Sequence, residues 1–259
     1  MTRLRQFLSP GMRLGVLTAA IAAGCAAPEP LTREVDSDAD SHIKSMCKLL
    51  DSAKAFRFQV QATMDRPVDT GQLAQFHRTS DITVVRPDRL FANTESDEGS
   101  WSVWYRGKLL TILDRDENTY ATETVPDRIG EMLDYLADEH DIVMPMADLL
   151  VGGTYESLLA EVEVGEYVGL HSVADTPCHH LLFHQENLEW QIWIDAGQQP
   201  LPRKLVITYF DEPDEPQYVA TMDKWELAPT WSEETFTFTP PNGAASVSLS
   251  DLVASTEED

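Results

Sequence analysis

The chain has 259 residues, with 44 Asp+Glu against 19 Lys+Arg, a formal charge of −25 and a sequence pI of about 4.4. That balance excludes nucleic-acid binding by phosphate neutralisation, which needs clustered Lys and Arg, and disfavours attraction to anionic lipid head groups. A hydrophobic fraction of 42% and an aromatic fraction of 8% belong to a globular core, not to a disordered acidic tail.

Residues 1–24 read as an export signal. Arg3, Arg5 and Arg13 make a basic start, and the apolar stretch 14–23 is too short to span a bilayer as a mature helix. Ala22-Ala23-Gly24-Cys25 then resembles a bacterial lipobox, with Ala22 where that motif usually has Leu. The resemblance implies cleavage before Cys25, lipidation of Cys25 and, with Ala26 following, placement at the outer membrane. Cleavage would remove three of the 19 Lys+Arg and none of the 44 Asp+Glu, so the mature chain is more acidic still. Residues 25–39, polar and carrying Pro28 and Pro30, read as a lipidated tether.

A helix is expected over 40–55, where Ile43, Met46, Cys47 and Leu50 recur at helical spacing. From Phe56 the period becomes two. Phe56, Phe58, Val60 and Ala62 alternate with polar residues, the pattern of a half-buried strand. Further strands are expected over 73–85, 89–94, 100–106, 108–114 and 118–123. Their short connections force antiparallel neighbours. A helix follows from Pro126 to His140 with the stripe Ile129, Met132, Leu133 and Leu136, then shorter helices over 146–150 and 155–162. Strands resume over 166–171, 176–185, 188–196, 203–209 and 217–227. A last one is expected over 235–239, and 246–259 reads as a frayed acidic C-terminal tail.

This order predicts an α+β fold over residues 40–245. The sheet is antiparallel, a strongly curved half-barrel of about 11 strands, with helices packed across its concave face. Cys47 and Cys178 either bridge or stay as buried thiols, and the sequence leaves both open.

Several runs carry a family likeness: Arg86-Pro87-Asp88-Arg89-Leu90, Thr119-Tyr120-Ala121, Pro145-Met146-Ala147-Asp148-Leu149-Leu150, Cys178-His179-His180-Leu181 and the stretch from Trp190 to Tyr209. They resemble a bacterial family of predicted periplasmic proteins, domain of unknown function 2092, over nearly the whole mature chain. The pattern is also similar to the LolA/LolB lipoprotein-carrier fold, through Ile194-Asp195, Leu201-Pro202, Arg203-Lys204 and the segment Phe236 to Pro241. That resemblance implies a half-barrel with a helical lid over a cavity for acyl chains. It brings no activity with it.

Chemistry-bearing patterns are sparse. Cys178, His180 and His184 share one strand face, but neighbours on a face lie about 7 Å apart, so His184 falls short of a site built on the other two. No HExxH, CxxC or G-x-S-x-G is present. Residues 114–125 echo a calcium loop but carry Thr119 and Val125 where Gly and Glu are needed. No metal, cofactor or catalytic residue is therefore assigned, and a metal-dependent hydrolase on Cys178–His184 ranks last among the readings. The aromatic rows are more suggestive. Phe56, Phe58 and Val60; Trp101, Val103 and Tyr105; and Trp190, Ile192 and Ile194 each share a strand face, and Ile129, Met132, Leu133 and Leu136 would cover them. If these rows line an open cavity, the protein is a non-enzymatic, lipid-anchored envelope protein holding a lipid or acyl chain. If the same rows fill a solid core, it is a protein-interaction or envelope-sensor module.

Overall fold

A computed structural model describes residues 33–255. The signal, Cys25 and the first part of the tether lie outside the described residues, as do 256–259.

The described chain opens with β1 (Glu34–Val35) and α1 (Ser37–Ser52). Asp36 caps α1, its carboxylate accepting from the Asp38 N–H at 2.7 Å. Asp38 and Asp40 then sit in the first turn, where the helix dipole favours negative charge. The helix thus begins before the expected Asp40. Residues 34–39, expected as tether, are part of the folded unit, and Ala39 is fully buried.

Two antiparallel meanders follow. The first is β2 (Ala55–Pro67), β3 (Leu73–Val85), β4 (Arg89–Ser96), β5 (Gly99–Arg106), β6 (Leu109–Asp114) and β7 (Thr119–Thr124). Three helices intervene, α2 (Ile129–His140), α3 (Ala147–Leu150) and α4 (Thr154–Leu158). The second meander is β8 (Val164–Val173), β9 (Thr176–His184), β10 (Leu188–Asp195), β11 (Pro202–Tyr209) and β12 (Gln217–Leu227). A 3-10 turn (Glu233–Phe236), β13 (Ala245–Val247) and α5 (Leu249–Ser255) complete the described chain.

All strands join one sheet in the order β1-β8-β9-β10-β11-β12-β2-β3-β4-β5-β6-β7-β13. The antiparallel pairing of β12 with β2 is the seam between the meanders. The expected eleven strands are β2 to β12. The sheet has 13 strands and is mixed, because β1 and β13 add short parallel pairs to β8 and β7 at its two edges. Among the described residues it does not close into a barrel. One face gathers the apolar rows. Along β2, Phe56, Phe58, Val60, Ala62 and Met64 are buried while Arg57 and Gln61 are exposed. Trp190, Ile192 and Ile194 do the same on β10. The helices pack over this face and share one hydrophobic core with it.

The C-terminal expectations need correction. Residues 235–239 do not form a strand. Ser232 and Thr235 close a capping box around the 3-10 turn, and Glu233 pairs with Arg89 and Arg106. Phe238 then packs 5.0 Å from the Trp104 ring and 4.9 Å from the Tyr120 ring. The segment is strapped across the sheet face opposite the core. Nor is 246–255 a frayed tail. Ser248 and Asp251 cap α5 reciprocally, and Leu249 and Leu252 are buried in the main core.

Cys47 and Cys178 are free, buried thiols. Cys47 points into the core from α1, whereas strand alternation puts Cys178 on the opposite face of β9 from Leu181 and Phe183, so the sheet separates them.

Candidate functional site: the interior beneath the helices

The concave face of the sheet and the helices above it enclose an apolar interior. Twelve of the thirteen expected lining residues meet there. Phe56, Phe58, Val60, Tyr105, Ile129, Met132, Leu133, Leu136, Trp190, Ile192 and Ile194 belong to the buried core, and Val103 packs against it. Trp101 does not join this cluster; it is half-buried, with its ring beside Gly99. Tyr105 is fully buried and donates its hydroxyl to the Pro126 carbonyl at 2.8 Å, tying β5 to the entry of α2.

The side chains of this interior are almost wholly withdrawn from solvent. Between α3–α4 and β10–β11 lies a void of about 10 Å³, with Pro145, Met146, Asp148, Leu149, Leu158, Trp190, Ile192 and Leu205 around it. That volume holds at most about one water molecule. Of these neighbours, the sequence singles out only Trp190 and Ile192 as lining residues. The run 145–150 stands out in the sequence for its family likeness alone, and Leu205 looks like any other alternating strand residue.

Polar groups fasten the helical layer. Arg86 reaches from the end of β3 to the C-terminal ends of α1 and α3. Its guanidinium donates to the carbonyls of Leu50 (2.6 Å), Ala53 (3.3 Å), Leu149 (3.1 Å), Leu150 (2.9 Å) and Val151 (2.7 Å). It also stacks 4.9 Å from the Phe56 ring centroid. No carboxylate is needed, because helix C-termini present negative partial charge. Burial holds the Arg86 pKa below its usual value, opposed by Asp51. Asp51 accepts from both the backbone and the hydroxyl of Thr154, joining α1 to α4. Asp40 accepts from Lys44 and Tyr155, and those hydrogen bonds lower its pKa.

Two buried donors on the concave wall lack acceptors among the described residues: Trp190 Nε1 and Tyr209 Oη. Both side chains are fully buried, and burial raises the Tyr209 pKa. A buried polar group left in this state costs about 1–3 kcal/mol.

The histidines divide between the two sheet faces. His179 faces the helices and stacks on His42 of α1 at 3.5 Å. His180 and His184 face the other way with Cys178. No group of three or more His, Cys, Asp or Glu converges on a metal position among the described residues.

A family model, DUF2092, described as a predicted periplasmic protein, matches residues 39–250. No curated protein matches the chain. Among solved structures, the Mycobacterium tuberculosis lipoprotein LppX is similar at 14% identity and a TM-score of 0.49, over 75% of this chain and 98% of that one. An uncharacterized conserved protein from Thermus thermophilus is similar at 9% identity and a TM-score of 0.48, over 82% and 99%. LprF from Mycobacterium bovis is similar at 13% and 0.47, over 81% and 99%.

Proposed function

The chain belongs to the DUF2092 family of predicted periplasmic proteins, and from that premise we propose that it is a lipid-anchored envelope protein, held at the outer membrane through Cys25, that shelters a hydrophobic ligand in its half-barrel. The ligand class is an acyl chain or lipoprotein lipid, and the role is binding rather than catalysis. The observation that carries this reading is the interior itself. It is mostly apolar, roofed by helices that polar contacts fasten at their ends, and it includes two donors without acceptors among the described residues, Trp190 Nε1 and Tyr209 Oη. An acyl ester supplies what such a wall lacks, a chain for the apolar surface and oxygens for the donors. The void beneath α3 and α4, about 10 Å³, does not admit a chain, so binding at that point requires the helical layer to shift. Native mass spectrometry of protein purified gently from its host, followed by organic extraction, tests this. Stoichiometric lipid is the expected result. A bare chain whose interior also refuses a hydrophobic dye after Arg86 is replaced counts against it.

A second reading, a protein-interaction or sensor module with a permanently filled core, has one observation in its favour. β1 covers only Val164 and Gly165 of β8. Among the described residues the rest of that edge has no strand partner, and it carries Val168 and Leu170, 45% and 60% exposed. Such an edge can accept a partner's strand. Crosslinked protein partners without bound lipid would favour it.

A further inference from the structure

On the sheet face opposite the core, β8 and β9 bring His171 and His180 together, with their Nδ1 atoms 3.0 Å apart. His180 is buried and held in one orientation. Its ring stacks on Trp193 at 3.9 Å and 12°, and Lys204 Nζ lies 4.6 Å from the same indole. Its Nε2 lies 3.0 Å from Gln191 Oε1. With Nε2–H donating to that oxygen, the lone pair of His180 sits on Nδ1 and points at His171. Burial lowers the His180 pKa, opposed by the Gln191 hydrogen bond and helped by the neighbouring His171 and Lys204. His171 is exposed, so a solute reaches the pair directly.

We propose that His171 and His180 chelate one divalent transition-metal ion through their Nδ1 atoms, Cu(II) foremost. Metal–imidazole bonds are about 2.0–2.1 Å, so two nitrogens 3.0 Å apart subtend roughly 95° at the ion. That angle suits tetragonal Cu(II) better than tetrahedral Zn(II). Gln191 plays the outer part that metal-binding histidines need, fixing the tautomer of His180 from behind. Without metal, the His171 Nδ1–H donates to His180 Nδ1. When metal binds, His171 moves its proton to the solvent-facing Nε2, and its Nδ1 lone pair takes the proton's place. Water fills the remaining positions, since no third His, Cys, Asp or Glu joins the pair among the described residues. A chain of net charge −25 also enriches cations at its surface.

Neighbouring groups do not offer the same geometry. Cys178 Sγ donates to the Thr176 carbonyl at 3.3 Å, and burial raises its pKa. His42 and His179 stack face to face, so their lone pairs share no point. The test is titration of the purified, chelator-stripped protein with Cu(II), read by calorimetry and electron paramagnetic resonance. One Cu(II) per chain is expected, with hyperfine coupling to two imidazole nitrogens. H171A, at an exposed position and checked for an intact fold by circular dichroism, should weaken binding about tenfold or more. Absence of stoichiometric binding, or H171A binding as tightly as the parent, overturns the proposal.

Discussion

Replacing Arg86 with Met should detach the ends of two helices from the sheet. The substitution keeps most of the stem and removes a guanidinium that makes five hydrogen bonds, from 2.6 to 3.3 Å, to the carbonyls of Leu50, Ala53, Leu149, Leu150 and Val151. Hydrogen bonds to a charged donor contribute about 1.5–3 kcal/mol each, so a simple sum exceeds about 7 kcal/mol. That sum overshoots. The five bonds share one group and are not additive, and carbonyls at loosened helix ends recover water. A loss of about 3–5 kcal/mol is the working value, in the range for breaking a buried charged cluster. Arg86→Lys keeps the charge, but three donors on one nitrogen do not span five carbonyls, so it should lose part of this. Urea unfolding followed by tryptophan fluorescence gives the stability change. Hydrogen exchange gives its location, with faster exchange expected over the last turn of α1 and over 147–151. A loss under about 1 kcal/mol, with exchange unchanged there, would refute the assignment of Arg86 as the fastening point.

Three further outcomes are expected. Gly165→Ala places a methyl 2.8 Å from the buried Phe183 ring and 3.0 Å from Val35, so it should cost about 1–3 kcal/mol by overpacking and free β1 from β8, read as a lower urea midpoint and faster exchange at Val35. Burial, then the neighbouring His179, hold the His42 pKa below 6.5; the unfolded chain therefore binds more protons in acid, and stability should fall as pH drops from about 7.5 to about 5.5. His42→Phe should flatten part of that slope in urea titrations across the range, and an unchanged slope would exclude His42 as a contributor. Burial pushes the Cys47 thiol up to about 12 and raises Cys178 as well, so neither should react with an aromatic disulfide reagent until the protein is unfolded. Rapid labelling of the native protein would contradict their burial.

Much of the fold is legible because its long strands alternate without interruption. Phe56 to Met64 and Trp190 to Ile194 announce both the strand and the buried face. The short edge strands are not legible. Glu34–Val35 and Ala245–Val247 span two and three residues, too few for any period to show. Helix α5 does leave a signal, Ser248 three residues ahead of Asp251 and followed by Leu249, Leu252 and Val253, but the acidic residues beyond it mask that signal. The segment 235–239 misleads because Phe236 and Phe238 alternate like strand residues, while the Ser232–Thr235 capping box turns the chain first. The role of Arg86 is hidden for a different reason. Its partners are backbone carbonyls from two distant segments, and carbonyls have no residue type to recognise.

The seam between β2 and β12 constrains how the protein is made. It pairs Gln61 with Thr221, 160 positions apart, and neither meander can share one core with the other until it forms. High contact order of this kind slows folding. A chain emerging N-terminus first has β2 waiting, with one side unpaired, until β12 follows it. Early folding is thereby discouraged by topology, and the exposed edge of β2 is the segment most in need of a chaperone during that delay.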